Sequence, residues 1–458
     1  MLSQDIQERV LQDLKELCAI PSIAFAGYDF SHLERSAQRT AQLFEEWGFP
    51  QVKVVRNPDL PPGQGGAPAV LAAWGNDASK ATILLYAHHD VQPEMRKDLW
   101  RTPPFEATLK DGRLYARGAA DDKAGILIHA AAANMTMCQD SPPVNLRVII
   151  DGEEEVGSPG LERLLYTHRD FLQCQAVIVA DLSNFAPGTP ALSASLRGMV
   201  AAGVTVRALR QPLHSGLWGG PLPDAALALS KILASLCDDQ GQIAVPGIRE
   251  FAQNPAATNL YSPEVNPSAV AFKNQAGLHA TAQLLVAPAE ISTSLWQRPA
   301  LTVTTIEAGQ RLTAGNVLLD SAWARISLRL AVGMDWQKAL QQLEDHLRKN
   351  CPWGLELEFC PEIGANAWQT STQNPIFQQM LTALNQGYGQ NAKIIGSGAS
   401  IPGAPLFAEI FGEIPVLLTG VEDDFSHAHG ENESVNMADV YKAIKSEHLF
   451  FNSFKDKI

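Results

Sequence analysis

Two kinds of hydrophobic pattern alternate along this chain. Residues 6–18 and 31–47 place apolar side chains three and four positions apart, the spacing of amphipathic helices. Short, almost wholly apolar runs follow at 69–73, 82–86, 146–150, 176–180 and 415–419. Runs of that length and character predict strands buried on both faces. Stretches of helical character, notably 123–137 and 159–172, lie between several of them. Strands alternating with helices imply an α/β fold with a mainly parallel sheet covered on both sides.

Residues 198–360 follow a different pattern. Segment 198–209 predicts a strand, 223–236 a helix and 300–307 a strand. Alternation is strict at 322–332, where Ala324, Ile326, Leu328 and Leu330 share one face. A helix at 335–349 and a strand at 355–359 complete the order β-α-β-β-α-β, that of a ferredoxin-like unit. Segment 238–299, rich in Pro, Ala and Asn, is an insertion within it. The expected organisation is an α/β domain made of residues 1–194 and 372–458, interrupted by a smaller α+β domain at 195–371. The Pro/Gly-rich stretch 57–68 predicts an exposed loop.

Composition narrows the setting. The 458 residues carry a formal net charge of −14, which argues against nucleic acid or an anionic membrane as partner. No apolar run reaches the roughly 18 residues of a membrane span. The first residues lack the basic start and apolar core of a secretory leader. Cys18, Cys138, Cys174, Cys237, Cys351 and Cys360 form no CxxC pair and are expected to be reduced thiols. A cytoplasmic globular protein is the expectation.

The chemistry gathers where the apolar runs end. In open α/β sheets, ligands bind beyond the carboxyl ends of strands. Run 82–86 leads into His88-His89-Asp90, run 146–150 into Asp151-Gly152-Glu153-Glu154-Glu155, and run 176–180 into Asp181. Run 415–419 leads, after a loop, to His427-Ala428-His429. The candidate ligands are His88, Asp121, Glu155, Asp181 and His429, with Glu154 beside one of them. Histidine and carboxylate without cysteine suit a hydrolytic divalent-metal site, zinc or manganese. A spare carboxylate is what such a site needs as general base. Singly, each of these residues is more often a solvated surface group. Their joint placement carries the reading. Asp90 shares a face with His88 on an extended backbone and can accept its second ring N–H, whereas His89 points the other way.

Four motifs then stand together: Leu84-Leu85-Tyr86-Ala87-His88-His89-Asp90-Val91-Gln92-Pro93, Arg117-Gly118-Ala119-Ala120-Asp121-Asp122-Lys123, Glu154-Glu155-Val156-Gly157-Ser158, and Leu213-His214-Ser215-Gly216 followed by Gly219-Gly220. On these, across nearly its whole length, the chain resembles the M20 family of metallopeptidases, most closely the dipeptidase branch that includes the carnosinase-like cytosolic dipeptidases. The resemblance implies a di-metal catalytic domain and a lid used for dimerisation. It implies two divalent metal ions per subunit, zinc first, with manganese or cobalt as alternatives. Asp121 would bridge them, His88 and Asp181 would complete one site, and Glu155 and His429 the other. Glu154 would act as general base and then as proton donor to the leaving amine, with Asp90 behind His88. The Asp121–Asp122 peptide would be cis. His214 would come from the partner subunit of a homodimer. Arg329, Asn316, Gly398 and Ser400 would contact a small peptide substrate. The family spacing of His, two residues, Asn and Glu fits His429-Gly430-Glu431-Asn432-Glu433 and does not fit His427.

The chain also departs from its relatives. Many carry an arginine where Gly396 stands, a glycine at Ala399, and a proline shortly after Asn316-Val317. These changes spare the metal chemistry and leave strict dipeptide specificity open. The expected activity is amide hydrolysis of dipeptides or short peptides. The alternative is an N-acyl amino acid deacylase using the same metal site. A non-catalytic binding protein would have lost a ligand or the base, and none is lost. A dinucleotide site would need GxGxxG after the first strand, which is missing.

Overall fold

A computed structural model describes residues 2–253, 260–401 and 403–454. These residues form a nine-stranded sheet and a separate four-stranded one, besides two smaller ladders. Neighbours in the large sheet run Gln51–Val55, Ala69–Trp74, Val144–Asp151, Ala81–His88, Ala176–Val179, Val416–Leu418, Ala191–Leu196 and Trp368–Gln369, with Lys393–Ser397 also pairing Ala191–Leu196. The centre is parallel: Ala81–His88 has Val144–Asp151 on one side and Ala176–Val179 on the other, and Val416–Leu418 continues in the same sense. Towards the edges the pairing turns antiparallel, except that Lys393–Ser397 runs parallel to Ala191–Leu196. This is the mainly parallel, doubly covered sheet that the apolar runs predict.

Helix Lys123–Met137 shows why both faces are covered. It is apolar nearly all round, and twelve of its residues are buried. A helix without a polar face must be enclosed, and this one packs on Ala81–His88 beneath helices Gln4–Cys18 and Met437–Asn452. The hydrophobic pattern alone does not single out helices Pro375–Tyr388, Gly403–Phe411 and Met437–Asn452. Two of them start at an asparagine whose side chain accepts a first-turn N–H, Asn374 from Ile376 and Asn436 from Ala438. Residues 159–172 form two short helices, Leu161–Thr167 and Arg169–Leu172, rather than one.

The smaller sheet has the spatial order Ala300–Glu307, Ser321–Leu330, Gly198–Arg207, Glu356–Ala365, antiparallel throughout. With Ala225–Ala234 and Trp336–Lys349 it makes the ferredoxin-like unit. Ala324, Ile326, Leu328 and Leu330 are buried against those helices in a core of their own. The insertion does not stay on this sheet. Ser262 donates its N–H to the Ile394 carbonyl at 2.9 Å, and its hydroxyl accepts from the Ile394 N–H at 2.9 Å. Val265 packs with Ala191 and Ile395 on the large sheet.

One expectation needs correction. Stretch 57–68 is not simply an exposed loop, because Asn57 and residues 65–68 are buried. The Glu153 carboxylate accepts from the N–H groups of Gly63, Gly65 and Ala67, and Asn57 donates to the carbonyls of Gly65 and Gly160. Buried backbone groups need partners, and a glutamate from the strand-end loop supplies them here. Among the described residues no helix is long and apolar enough to cross a membrane. The six cysteines are free.

Candidate metal centre

The carboxyl ends of the parallel strands converge at one edge of the large sheet. Ala81–His88 ends on His88, whose ring is fully buried. Its Nε2 lies 2.9 Å from Asp121 Oδ1 and 3.5 Å from Asp181 Oδ1. Its Nδ1 faces Asp90, 3.1 Å from the carbonyl oxygen and 3.3 Å from Oδ1. The Asp90 carboxylate also accepts the N–H groups of Glu154 and Glu155, both at 3.1 Å. One buried aspartate therefore fixes a histidine ring and the turn that carries both glutamates.

Asp121 precedes helix Lys123–Met137 and is joined to Asp122 by a cis peptide bond. Its second oxygen lies 3.0 Å from Nε2 of His429, which is 3.3 Å from Glu155 Oε2. Gln92 donates to both oxygens of Glu155, from its backbone N–H at 3.0 Å and its side-chain amide at 2.6 Å. Two groups of ligand-type atoms result, His88/Asp121/Asp181 and Asp121/Glu155/His429, each within 4.8 Å and sharing Asp121. His427 belongs to neither. The Glu154 carboxylate takes no hydrogen bond from any described residue.

The electrostatics describe a cluster short of positive charge. Burial raises the carboxyls of Glu154, Glu155 and Asp181, and the charge of neighbouring carboxylates adds to it. Burial acts on Asp121 too, but hydrogen bonds from His429 and His88 hold it well below the usual range. The Asp121 contact pushes His429 up to about 9. Nitrogen and oxygen donors in two sets, with an excess of carboxylate and a shared aspartate, fit two divalent cations. Cations would relieve the repulsion that now raises those carboxyls.

Sequence reasoning gave Glu433 no role and missed Glu422 and Arg197. The buried Glu433 carboxylate accepts from Arg117 Nη1 at 2.7 Å and from the N–H groups of Gly118, Ala120 and Asp121. It thereby ties the His429 segment to the loop that delivers Asp121. Glu422 accepts from the Ser183 hydroxyl at 3.0 Å. Burial pushes it well up, aided by the charges of Asp121 and Asp181. Its position beyond strand Val416–Leu418 was the available signal. Arg197 stands alone between two strands, and nothing in the pattern marks it.

The substrate-side residues fall into two places. Arg329 Nη1 donates to the Ser400 hydroxyl at 2.8 Å. That hydroxyl donates to the Arg197 carbonyl at 2.5 Å, and Arg197 Nε donates to the Gly398 carbonyl at 3.2 Å. His214 and Asn316 lie elsewhere. His214 is exposed, pairs with Val317 in a two-residue ladder, and accepts the Gly216 N–H at 3.1 Å. The Asn316 carbonyl accepts the Ser215 N–H at 2.9 Å. Among the described residues no hydrogen bond or ion pair joins His214 to the carboxylate cluster of its own chain.

The model of peptidase family M20/M25/M40 matches residues 84–452. The chain belongs to that family. This M20 chain is 29% identical to the cysteinylglycine-S-conjugate dipeptidase of Corynebacterium striatum, covering 98% of this chain and 96% of the relative. It is 30% identical to the Beta-Ala-His dipeptidase of Homo sapiens, over 97% and 90% of the two chains. The crystal structure of human carnosine dipeptidase 1 superposes with a TM-score of 0.85 at 28% identity, covering 98% of the M20 chain and 96% of the other.

Proposed function

We propose that this M20 chain is a di-metal dipeptidase, hydrolysing the amide bond of dipeptides or short peptides. What carries the reading is the pair of ligand triplets sharing Asp121, with Glu154 beside them and its carboxylate taking no hydrogen bond among the described residues. The dipeptidase names of its relatives point the same way. When bound, the two ions supply Lewis-acid activation of a water molecule and of the scissile carbonyl. His88 and Asp181 would hold one ion and Glu155 and His429 the other, with Asp121 between them. Zinc is the first choice, with manganese or cobalt also suited to this donor set.

The protein's own groups then divide the work. Glu154 takes the proton from the attacking water and passes it to the leaving amine, a task suited to a carboxylate that lies beside the ligand groups without belonging to either. Asp90 sets the His88 tautomer by accepting from Nδ1, which would leave Nε2, beside Asp121 and Asp181, able to hold an ion. Arg329 and Arg197, with Ser400 and the Gly398 loop, receive the substrate carboxylate. His214, exposed and joined to its own cluster by no hydrogen bond or ion pair among the described residues, serves the partner subunit's site across a lid-mediated homodimer, where it stabilises the developing oxyanion. In this reading residues 1–194 and 372–458 are the catalytic domain and 195–371 the lid. A cytoplasmic setting, which keeps the six free cysteines reduced, belongs to it as well.

The test is hydrolysis of a dipeptide panel by chelated protein reloaded with zinc or manganese, wild type beside Glu154→Gln. Glu154→Gln should lose roughly 10²–10⁴-fold in kcat, the usual worth of a general acid–base. Metal analysis should still find two ions per chain. Undiminished turnover in Glu154→Gln would remove the proposed base.

A further inference from the structure

A cavity of about 870 Å³ opens beside the candidate centre. Leu182 and Ser183, the two residues after Asp181, form part of its wall, and Gly396 to Gly398 form another part. Ser400, which Arg329 contacts, follows two positions later. The space therefore lies between the segment that follows Asp181 and the Gly396–Gly398 loop, whose last carbonyl accepts from Arg197. Its volume falls in the range of roughly 300–1,000 Å³ that encloses drug-sized ligands, far more than two small residues need.

The chemistry of the wall is specific. Phe185, Val265, Phe272, Leu295, Trp296 and Phe425 line it. Four of these six belong to the inserted segment 238–299, which folds back over the large sheet. Among the described residues Asp424 is the one charged side chain in the wall, and it is bonded to the Gln275 amide at 2.5 Å. Gly396 makes the aromatic wall possible. A Cβ there would lie 2.7 Å from both Cβ and Cγ of Trp296, so a longer side chain would displace the indole. Trp296 is seated on Tyr261, ring centroids 5.1 Å apart, and the Tyr261 hydroxyl is 2.7 Å from that of Ser195. The insertion, the indole and the glycine together build a mainly apolar chamber beside the segment that follows Asp181.

We propose that this chamber binds a bulky apolar group carried next to the scissile amide, an aromatic or long aliphatic one, and that it sets the substrate preference of the enzyme. The group has two sources, an amino-acid side chain or an acyl chain without an ammonium. The inference rests on the hydrolase reading above and deepens it.

Four compounds test it: Ala-Ala, Phe-Ala, Ala-Phe and 3-phenylpropanoyl-alanine, the last being Phe-Ala without its ammonium. Wild type should turn over at least one phenyl compound with kcat/KM about tenfold or more above Ala-Ala, since even one methylene in an apolar pocket is worth roughly 10–200-fold. Phe-Ala or Ala-Phe ahead of the acyl compound assigns the group to a side chain, and the reverse order assigns it to an acyl chain. Ala271→Trp and, separately, Ala276→Trp fill the chamber from exposed wall positions. Either should lower the phenyl-to-Ala-Ala ratio at least about tenfold. Equal kcat/KM for all four compounds, or a phenyl preference that neither filling reduces, overturns the proposal. Turnover of none, with two metals bound, defeats the hydrolase reading instead. Calorimetry with 3-phenylpropanoate then decides the chamber separately: binding to wild type that Ala271→Trp abolishes supports it, and no binding overturns it.

Discussion

Two arginines on one strand differ in how their charge is met. Arg325 Nε lies 2.6 Å from Glu362 Oε2, an ordinary ion pair across the small sheet. Arg329, two periods of the alternation further along, has among the described residues only the Ser400 hydroxyl as side-chain partner, and Arg197 has only carbonyls. Burial, with the charge of Arg329 beside it, pulls the Arg197 guanidinium down to about 10. A buried charge without a counter-ion is costly, and a substrate carboxylate would remove that cost. Arg329→Met should raise KM for a free dipeptide about 10–100-fold, the loss of one charge-assisted contact of roughly 1.5–3 kcal/mol. The matching dipeptide amide should be nearly indifferent to the change, and steady-state kinetics on the two substrates checks this. The ligand-type residues were legible because apolar strands announce where their carboxyl ends lie. His88, Glu155 and Asp181 all follow such runs. Arg197 was not legible, because its meaning depends on the absence of a partner, and absence has no sequence pattern.

At the scale of elements, strand Ser321–Leu330 is the clearest case of pattern fixing structure. Its burial alternates residue by residue over the whole length. Leu328 is fully buried in the core of the smaller sheet. Leu328→Ala should cost about 2–5 kcal/mol, seen as a lower midpoint in urea denaturation, with metal content in folded protein unchanged. The pairing partners of the strand were beyond the pattern. The insertion was visible as a composition shift, yet its return to the large sheet depends on contacts such as Ser262 with Ile394 that join distant positions. Stretch 57–68 was misread for the same reason. Its glycines and prolines predict a loop, and its burial follows from Glu153, about ninety positions away.

At the scale of the molecule, the proposed assembly turns on His214. The turn carrying it also exposes Leu217 at 77% and Trp218 at 50%. Apolar side chains presented this way mark interaction surfaces. If the partner supplies His214, then His214→Ala and Glu154→Gln proteins, each inactive alone, should complement when mixed and allowed to exchange subunits. Half the dimers would be mixed, each with one intact site, giving about a quarter of wild-type activity for a two-fold assembly. Mixtures that stay inactive, while mass measurement shows subunit exchange, would place His214 outside the reaction.

The salt bridge between Arg117 and Glu433 spans 316 positions. Asp121 is thus seated by a residue 312 positions later in the chain, just beyond His429. A growing chain has made most of the large sheet long before it can close either the loop or the second ligand group. During synthesis, therefore, the His88/Asp121/Asp181 group exists without its Glu433 anchor, and the second group stays incomplete until His429 has been added.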